Sequence, residues 1–486
     1  MYEIYNEDSF KKLDELEENS IDAIVTDPPY GLTSVTERFG KDGSAPAKFG
    51  KDGAFSRLSK GFMGKEWDGT GIERNPEFWA KCLRVLKPGG YLLAFGGTRT
   101  YHRIATAIEE AGFDVRDMIN WITGQGFPKG IDLGLAVDKK LGKESKVVGV
   151  GKSGAAETHT RCMNSQTKSG KDVFGGEFEI KEAQNEWKGW KTQLKPSHEP
   201  IVIAQKPFRG TYVDNLSENG VGGINIDECR VGNENISVHN APKGTFAGGE
   251  PDRGSDTNSY REHEGRYPAN TILSYDENDK KTIKGFPETK PTKPHDGDGG
   301  KLDTREQGWG FRRMPSTLVD NGGSTARYFQ NCPLDEKDSD VMSYYYCPKA
   351  NKKDRDEGLD DFNSEQGHTK GNGLDRVCEF CGVPQLKPEL CKCPVKSWVA
   401  KPRRNTHATV KPTELMQYLV RLVTPKGGTI LDPFMGSGST GKACMYENAE
   451  RNANYKFVGI EKETEYFDIA KARIDYVIKK FNLDNK

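Results

Sequence analysis

Ile21-Asp22-Ala23-Ile24-Val25-Thr26-Asp27-Pro28-Pro29-Tyr30 decides the fold. Its first six residues form an apolar, β-rich run that reads as a buried strand. Pro28 and Pro29 then remove the donors a ladder needs, so the chain must turn out at the strand's C-terminal end. In open α/β sheets that end is where ligands bind. A carboxylate, two rigid prolines and an aromatic ring there make a compact polar site with a flat wall; the alternative, for the four residues alone, is a strand-terminating turn with an incidental acid and Tyr.

Strand and helix patterns alternate around this stretch. Tyr2-Glu3-Ile4-Tyr5 reads as a strand, Asp8-Ser9 as a helix cap, and Phe10, Leu13 and Leu16 as one apolar stripe, giving a βαβ start. Residues 31–75 have neither period and read as a long loop beside the site. Pro76 to Leu86 reads as a helix ended by Lys87-Pro88-Gly89-Gly90, Tyr91 to Phe95 as a buried strand, Thr98 to Ala111 as a helix, and Phe113 to Trp121 as a strand. After an irregular insert at about 123–197, Glu199 to Ala204 supplies another strand, and Lys206-Pro207 closes the first half. The last 85 or so residues are regular again, with helix Pro412–Val423, strand Thr429–Asp432, a glycine turn and a helix, strand Phe457–Glu461, and helix Tyr466–Ile478. Such alternation predicts an α/β fold with a doubly wound, mostly parallel sheet.

Composition places the remainder. The 486 residues allow two or three domains, while 34% hydrophobic content and 55 Gly demand a large loop-rich segment. A mean hydropathy of -0.77 agrees. That segment is 207–400, rich in Gly, Asn, Asp, Lys and Pro, with short strand-like pieces such as Thr271–Leu273 and Val341–Tyr346. With 71 Lys+Arg against 72 Asp+Glu the net charge is -1, so a nucleic-acid surface has to be local. No apolar run of membrane length occurs and the N-terminus lacks a signal-peptide layout, so a cytoplasmic protein with no membrane partner is expected. No long internal repeat is visible.

The glycine turn Gly436-Ser437-Gly438-Ser439-Thr440-Gly441 stands between a strand and a helix, with Glu461 twenty residues after Gly441. Those are the terms of a dinucleotide site: glycines admit a ligand to the backbone and the acid takes ribose hydroxyls. Gly436 to Lys442 also fits a phosphate loop, but Ala443 stands where that loop needs a hydroxyl for magnesium. A third reading is S-adenosylmethionine, whose ribose suits Glu461 and whose cationic amino acid end suits Asp432, with Phe434 for packing. The turn alone does not separate it from NAD or from a ligand-free packing turn.

Asp27-Pro28-Pro29-Tyr30 together with Asp432-Pro433-Phe434-Met435-Gly436-Ser437-Gly438-Ser439-Thr440 resembles the paired signature motifs of DNA amino-methyltransferases, which methylate adenine N6 or cytosine N4. The order, with the catalytic motif first and the cofactor motif last, resembles the family's β class. Asn405-Thr406-His407-Ala408-Thr409-Val410-Lys411-Pro412 is similar to the segment before the cofactor strand, with Ala408 where Pro is more usual. The likeness covers roughly 1–122, 195–206 and 400–486.

The resemblance implies a circularly permuted, seven-stranded methyltransferase sheet with two halves, 1–206 (catalytic) and 401–486 (cofactor-binding), around a target-recognition insertion at 207–400. It implies Asp27, Pro28, Pro29 and Tyr30 as catalytic residues acting on a flipped base. It also implies S-adenosylmethionine held by Asp8, Lys411, Asp432, Phe434, Gly436, Ser437, Gly438, Thr440 and Glu461. In this permuted order the N-terminal strand fills the slot beside the Glu461 strand, making the chain termini spatial neighbours. The implied partner is double-stranded DNA, bound by a monomer or homodimer. The Asp in first position leans toward adenine over cytosine N4, and no stretch resembles a helicase or nuclease. An NAD-linked oxidoreductase leaves Asp27 to Tyr30 without a purpose, and a catalytically silent DNA-binding relative would lack one of those four.

Two further features lie in the insertion. Cys378-x2-Cys381-x9-Cys391-x-Cys393 has a zinc-ribbon knuckle's spacing in its first pair and a less typical one in its second, which fits a structural zinc with four thiolate ligands or, alternatively, four reduced thiols in a loop. Lys396, Trp398, Lys401, Arg403 and Arg404 form a local basic patch with an aromatic, which fits phosphate contacts and a solvated surface run about equally.

Overall fold

The computed structural model describes residues 2–31, 70–123, 130–152, 177–239, 260–274, 288–289, 323–331, 350, 352–360, 362, 376–378, 393, 398–400, 404–407 and 409–483. It divides into one unit of residues 1–223 and 334–486 and a second of 224–333.

The first unit is built on strands β1 (Tyr2–Tyr5), β2 (Ile21–Thr26), β3 (Leu86–Phe95), β4 (Asp114–Thr123) and, after a hairpin, β7 (His198–Gln205), with two strands from the C-terminal region. The hairpin pairs β5 (Lys146–Lys152) antiparallel with β6 (Glu177–Glu182). Helices are α1 (Ser9–Glu15), α2 (Pro76–Val85), α3 (Tyr101–Glu110), α4 (Leu133–Lys140) and α5 (Tyr212–Asn219). The second unit holds β8 (Val231–His239) and β9 (Tyr260–Arg266), antiparallel, and β10 (Thr271–Ser274) parallel to the short β11 (Gln330–Asn331). The chain returns through α6 (Lys352–Asp356), α7 (Thr413–Val423), strand β12 (Thr429–Asp432), α8 (Ser439–Arg451), strand β13 (Lys456–Ile460) and α9 (Thr464–Phe481).

Within the first unit the sheet order is β1-β13-β12-β2-β3-β7-β4. Its first five strands are parallel, and β7 runs antiparallel to both β3 and β4. The doubly wound, mostly parallel architecture is as expected, including the permutation: Tyr2 pairs with Phe457 and Tyr5 with Ile460, so the N-terminal strand completes the edge beside the C-terminal one. Tyr2 also bonds Asp475 near the chain's other end.

Both faces are covered, which is why the strands read as apolar runs rather than alternations. Ile24, Leu92, Ala94, Val202 and Ala204 join Leu13, Phe78, Trp79, Cys82 and Ile104 in one cluster beneath α1, α2 and α3. Their neighbours Ala23, Val25, Leu93 and Ile203 are buried too, with α7 packed against β2 and β3. The amphipathic α7 places Leu415, Met416, Leu419, Val420 and Val423 in the interior.

Three expectations are corrected. Strand β3 begins at Leu86 and runs through Lys87-Pro88-Gly89-Gly90 instead of after it, because Gly89 at φ +81° lets the ladder slip between the Ile21–Leu86 and Ala23–Tyr91 pairs. The insert at 123–197 contains α4 and the β5–β6 hairpin, all short, of eight, seven and six residues. The first unit continues past Pro207, because α5, capped by Thr211 and Asp214, packs on β3 with Asn215 buried. The compact second unit is accordingly narrower than 207–400 at both ends. The loop at 32–69 and the piece at 341–346 lie outside the described residues.

Candidate active site

Strands β2 and β12 are adjacent and parallel, with Ala23 opposite Ile430 and Ile24 opposite Leu431, so both motifs leave the sheet at the same edge. The Thr26 hydroxyl donates to Asp432 Oδ1 at 2.7 Å, directly tying the residue before Asp27 to the residue that opens the glycine turn.

At the first motif Pro28 and Pro29 are buried, and Asp27 and Tyr30 are partly exposed. Asp27 Oδ2 is ion-paired to Lys411 Nζ, and Oδ1 accepts from the Tyr30 hydroxyl at 3.0 Å. Lys411 Nζ also donates to the Tyr30 hydroxyl at 3.2 Å and lies 4.6 Å from the Phe95 ring centre. Glu199 closes the corner, 3.2 Å from the Tyr30 hydroxyl and 3.7 Å from Lys411 Nζ. Burial pushes the Asp27 carboxyl above the ordinary carboxylate range, and the Lys411 ammonium opposes that push. Two carboxylates around one ammonium leave the corner acidic and able to accept donors from a ligand.

Glu199 and Phe95 were not singled out from the sequence. Glu199 is a single acid at the head of an apolar strand, a pattern with no signal of its own. Only the antiparallel direction of β7, which sets Glu199 against Trp121 at the sheet's C-terminal edge, brings it to Asp27. Lys411, expected at the cofactor, is ion-paired to Asp27.

At the second motif the carboxylates hold backbone donors and two threonine hydroxyls. Asp432 is buried; Oδ1 accepts from Phe434 N–H at 3.1 Å as well as from Thr26, and Oδ2 accepts from the Thr440 hydroxyl at 2.6 Å. Glu461 accepts from Gly436 N–H and from Glu463 N–H, both at 2.8 Å. Burial raises Asp432 to about 6 and Glu461 to about 7.

The glycines are sterically required. Gly436 sits at φ +53° and Gly438 at φ +75°, and a Cβ on Gly436 would come 2.8 Å from His407 Nε2. A Cβ on Gly441 would meet Ile474 and Phe457 at 2.6 Å, so this third glycine lets helix and strand approach. Phe434 packs on Phe78 with ring centres 4.9 Å apart, and Ser437 is buried. His407 accepts from Thr409 N–H through Nδ1, stacks edge-on against Tyr466, and is pushed down to about 3 by burial, which keeps it neutral. Asp8 caps α1 through Phe10 N–H and pairs with Lys462 at 3.0 Å, beside the Glu461 strand end.

Lys442 decides against a phosphate loop. It is fully buried and turned away to Asp354 and Glu357, each at 2.7 Å, so its ammonium does not serve a ligand at the turn.

Of the four cysteines, Cys381 and Cys391 lie outside the described residues. Strand Arg376–Cys378 pairs antiparallel with Trp398–Ala400, aligning Cys378 with Trp398. Among the described residues no group of three or more metal-ligating side chains occurs. In the basic patch Lys396, Lys401 and Arg403 lie outside the described residues, and Arg404 pairs with Asp360. No helix among the described residues is long and apolar enough to cross a membrane.

Comparison with known proteins extends this geometry. The type II methyltransferase M.HindIII of Haemophilus influenzae is 28% identical over 241 residues, 46% of this chain and 64% of the relative. M.BglI of Bacillus subtilis is 40% identical over 73 residues, 15% of this chain and 19% of the relative. The match thus spans less than two thirds of either relative. Among solved structures, PvuII DNA methyltransferase (cytosine-N4-specific) aligns with 10% identity and a TM-score of 0.36, covering 99% of this chain and 91% of that one. The M1.HpyAVI complex with SAM aligns with 14% identity and a TM-score of 0.31, covering 98% and 100%. Overlaps that loose carry no argument. The family model for DNA methylases matches residues 21–472, a span that includes both motifs and everything between them, and the chain belongs to that family.

Proposed function

We propose that this protein transfers a methyl group from S-adenosylmethionine to the exocyclic amino group of a base in double-stranded DNA, adenine N6 in the first place. The observation that carries the reading is the placement of Asp27 and the glycine turn on adjacent parallel strands, joined by the Thr26–Asp432 hydrogen bond.

The residues fit this cofactor's chemistry. Glu461 keeps lone pairs beyond the two it gives to backbone donors, enough to accept from ribose hydroxyls. Asp432, Glu461 and Glu463 make the turn's surroundings acidic, which suits a cationic ligand and opposes a pyrophosphate. With Lys442 withdrawn, this argues against the nucleotide-phosphate alternatives, NAD included. Asp8, next to Lys462 near the Glu461 strand, and Phe434, at the turn, are assigned to the nucleoside end.

When bound, S-adenosylmethionine supplies a methyl carbon made electrophilic by its sulfonium. The chain supplies position and polarity. An exocyclic amino group is a poor nucleophile because its lone pair is delocalised into the ring. Asp27 and the Pro28 carbonyl, accepting its two hydrogens, favour a pyramidal nitrogen with a localised lone pair. The prolines fix where that carbonyl points. The Lys411 ammonium opposes the rise that burial imposes on the Asp27 carboxyl. Once the N–C bond has formed the nitrogen is cationic and gives its proton to solvent water, so Asp27 acts as a lone-pair localiser and needs no unusual basicity. Because the atom is inaccessible in a duplex, the base must be flipped, and Tyr30 stacks on it, an interaction worth about 1–3 kcal/mol.

Target recognition is assigned to the region between the two motifs, and the named relatives make a restriction-modification setting the natural one. The four cysteines are assigned a structural zinc; metal analysis of protein purified without added zinc should find about one equivalent. A folded, metal-free protein would remove that assignment. The reaction itself is tested by incubation with labelled S-adenosylmethionine and DNA of mixed sequence, followed by nucleoside analysis. Label in N6-methyladenine is expected. Label in N4-methylcytosine would overturn the choice of base, and unlabelled DNA the whole reading.

A further inference from the structure

A short segment far from both motifs in sequence grips the underside of the glycine turn. It comprises α6 and the residues after it, out to Phe362. Leu359 is fully buried against Tyr466 and Ile469 of α9, with Phe362 packed alongside. Gly358, at φ +83°, approaches α9 so closely that a Cβ would lie 2.6 Å from that of Tyr476.

Asp354 is the centre of this contact. Its carboxylate accepts from Lys442 at 2.7 Å and lies 3.6 Å from Arg473, and its backbone carbonyl accepts from the same two side chains at 3.1 and 3.0 Å. Arg473 is fully buried and donates in the other direction, to the Ser437 carbonyl at 2.5 Å and toward the Ser437 hydroxyl at 3.2 Å. One guanidinium therefore spans Asp354 and the middle of the turn. Asp354 Oδ2 also accepts from Thr413 N–H at 2.7 Å, at the start of α7 and two residues after Lys411. Arg355 meets the carbonyls of Asn405 and His407 at 3.4 and 3.3 Å, and His407 is the side chain against Gly436.

Charge makes the clasp obligatory. Lys442 and Arg473 are two cations buried beneath a turn proposed to receive a third, the sulfonium. Asp354 and Glu357 are the carboxylates that balance them. A buried cation whose partner is removed is strongly destabilising.

We propose that Asp354, acting through Arg473 on Ser437, is a positioning residue for cofactor binding, and that the 352–362 segment is a structural part of the cofactor site. This rests on the methyltransferase reading.

The test compares full-length wild type with Asp354→Asn, which keeps Asp354's size and removes its charge, in calorimetric titration with S-adenosylmethionine and in steady-state methylation. The cofactor's Kd and KM should each rise about tenfold, while kcat at saturating cofactor and KM for DNA stay within about twofold. Arg473→Lys, which keeps the charge but cannot span Ser437 and Asp354 together, should give the same split if Asp354→Asn fails to fold. Tyr446→Phe, which removes a hydroxyl bonded to Glu357 at 2.9 Å without touching Arg473, should leave the cofactor's Kd unchanged. Unchanged Kd in both Asp354→Asn and Arg473→Lys would overturn the proposal, as would a fall in kcat with KM unmoved. A wild type that does not bind S-adenosylmethionine would instead overturn the methyltransferase reading, and this inference with it.

Discussion

The Asp27 corner and the glycine turn sit at the ends of neighbouring strands but are built in opposite ways. In the corner, side chains hold one another: Asp27, Tyr30, Glu199 and Lys411 come from three distant segments, and Asp27's two oxygens are engaged by Lys411 and Tyr30. At the turn, carboxylates hold backbone together with two hydroxyls: Asp432 accepts from Phe434 N–H and from Thr26 and Thr440, and Glu461 from Gly436 and Glu463 N–H. The first arrangement can exchange partners when a substrate amino group arrives. The second is fixed before any ligand binds, as preorganised binding requires. Glu199 gains a purpose from this difference. In the proposed reaction it is a second acceptor for the Tyr30 hydroxyl and for Lys411 when Asp27 turns to the base.

Substitutions should separate the two regions. The largest effect is expected from Asp27→Asn, which keeps an acceptor oxygen but loses the charge: kcat should fall by about 10²–10³-fold with cofactor Kd within twofold, measured by methyl transfer and calorimetry. Lys411→Met should lower kcat by roughly 10-fold to 100-fold, and shift the acidic limb of the pH–rate profile upward as Asp27 loses the cation that opposes its protonation. Were Lys411→Met to act on cofactor Kd alone, the lysine would belong to the turn and the contrast would fail. Tyr30→Ala should reduce productive base capture by about tenfold, while Tyr30→Phe, which keeps the ring, should cost less. Equal losses would assign Tyr30's contribution to its hydroxyl.

The smallest effect is one of pH. Glu461 is raised from 4.5 to about 7 and Asp432 from 3.8 to about 6, so the folded protein holds protons that the unfolded chain has released. Their contribution to stability is fully present below the unfolded values and is lost as pH rises through those windows. The ligand-free Tm should therefore fall slightly between pH 5 and pH 7, by on the order of a few degrees. Over the same interval cofactor affinity should rise, because ribose hydroxyls donate to the ionised Glu461. An affinity independent of pH would detach Glu461 from the ribose.

Much of this was legible in the residues. The apolar run into Asp27-Pro28-Pro29 identified β2 and its end, and the spacing of Gly436, Gly438 and Gly441 before a helix identified a turn whose glycines prove sterically necessary. The permuted edge strand followed from the resemblance to the methyltransferase sheet, whose strand order leaves the slot beside the Glu461 strand to Tyr2–Tyr5. What escaped depends on tertiary direction or on long-range ion pairs. Glu199 is brought to Asp27 by the reversal of β7, which no local pattern encodes. Asp354 sits in a charge-rich stretch with no apolar period, and its partners Lys442 and Arg473 are 88 and 119 residues away. Lys411 was legible as part of a motif but not as a partner of Asp27, because the motif gives a position on the chain and not the direction of a four-carbon stem.

The most direct test runs wild type and Asp27→Ala side by side with labelled S-adenosylmethionine and DNA, with cofactor binding measured calorimetrically on the same preparations. The structure predicts equal binding by both proteins and label transferred to DNA by the wild type alone. Label transferred at the same rate by Asp27→Ala would contradict the claim that the two strand ends form one methyl-transfer site.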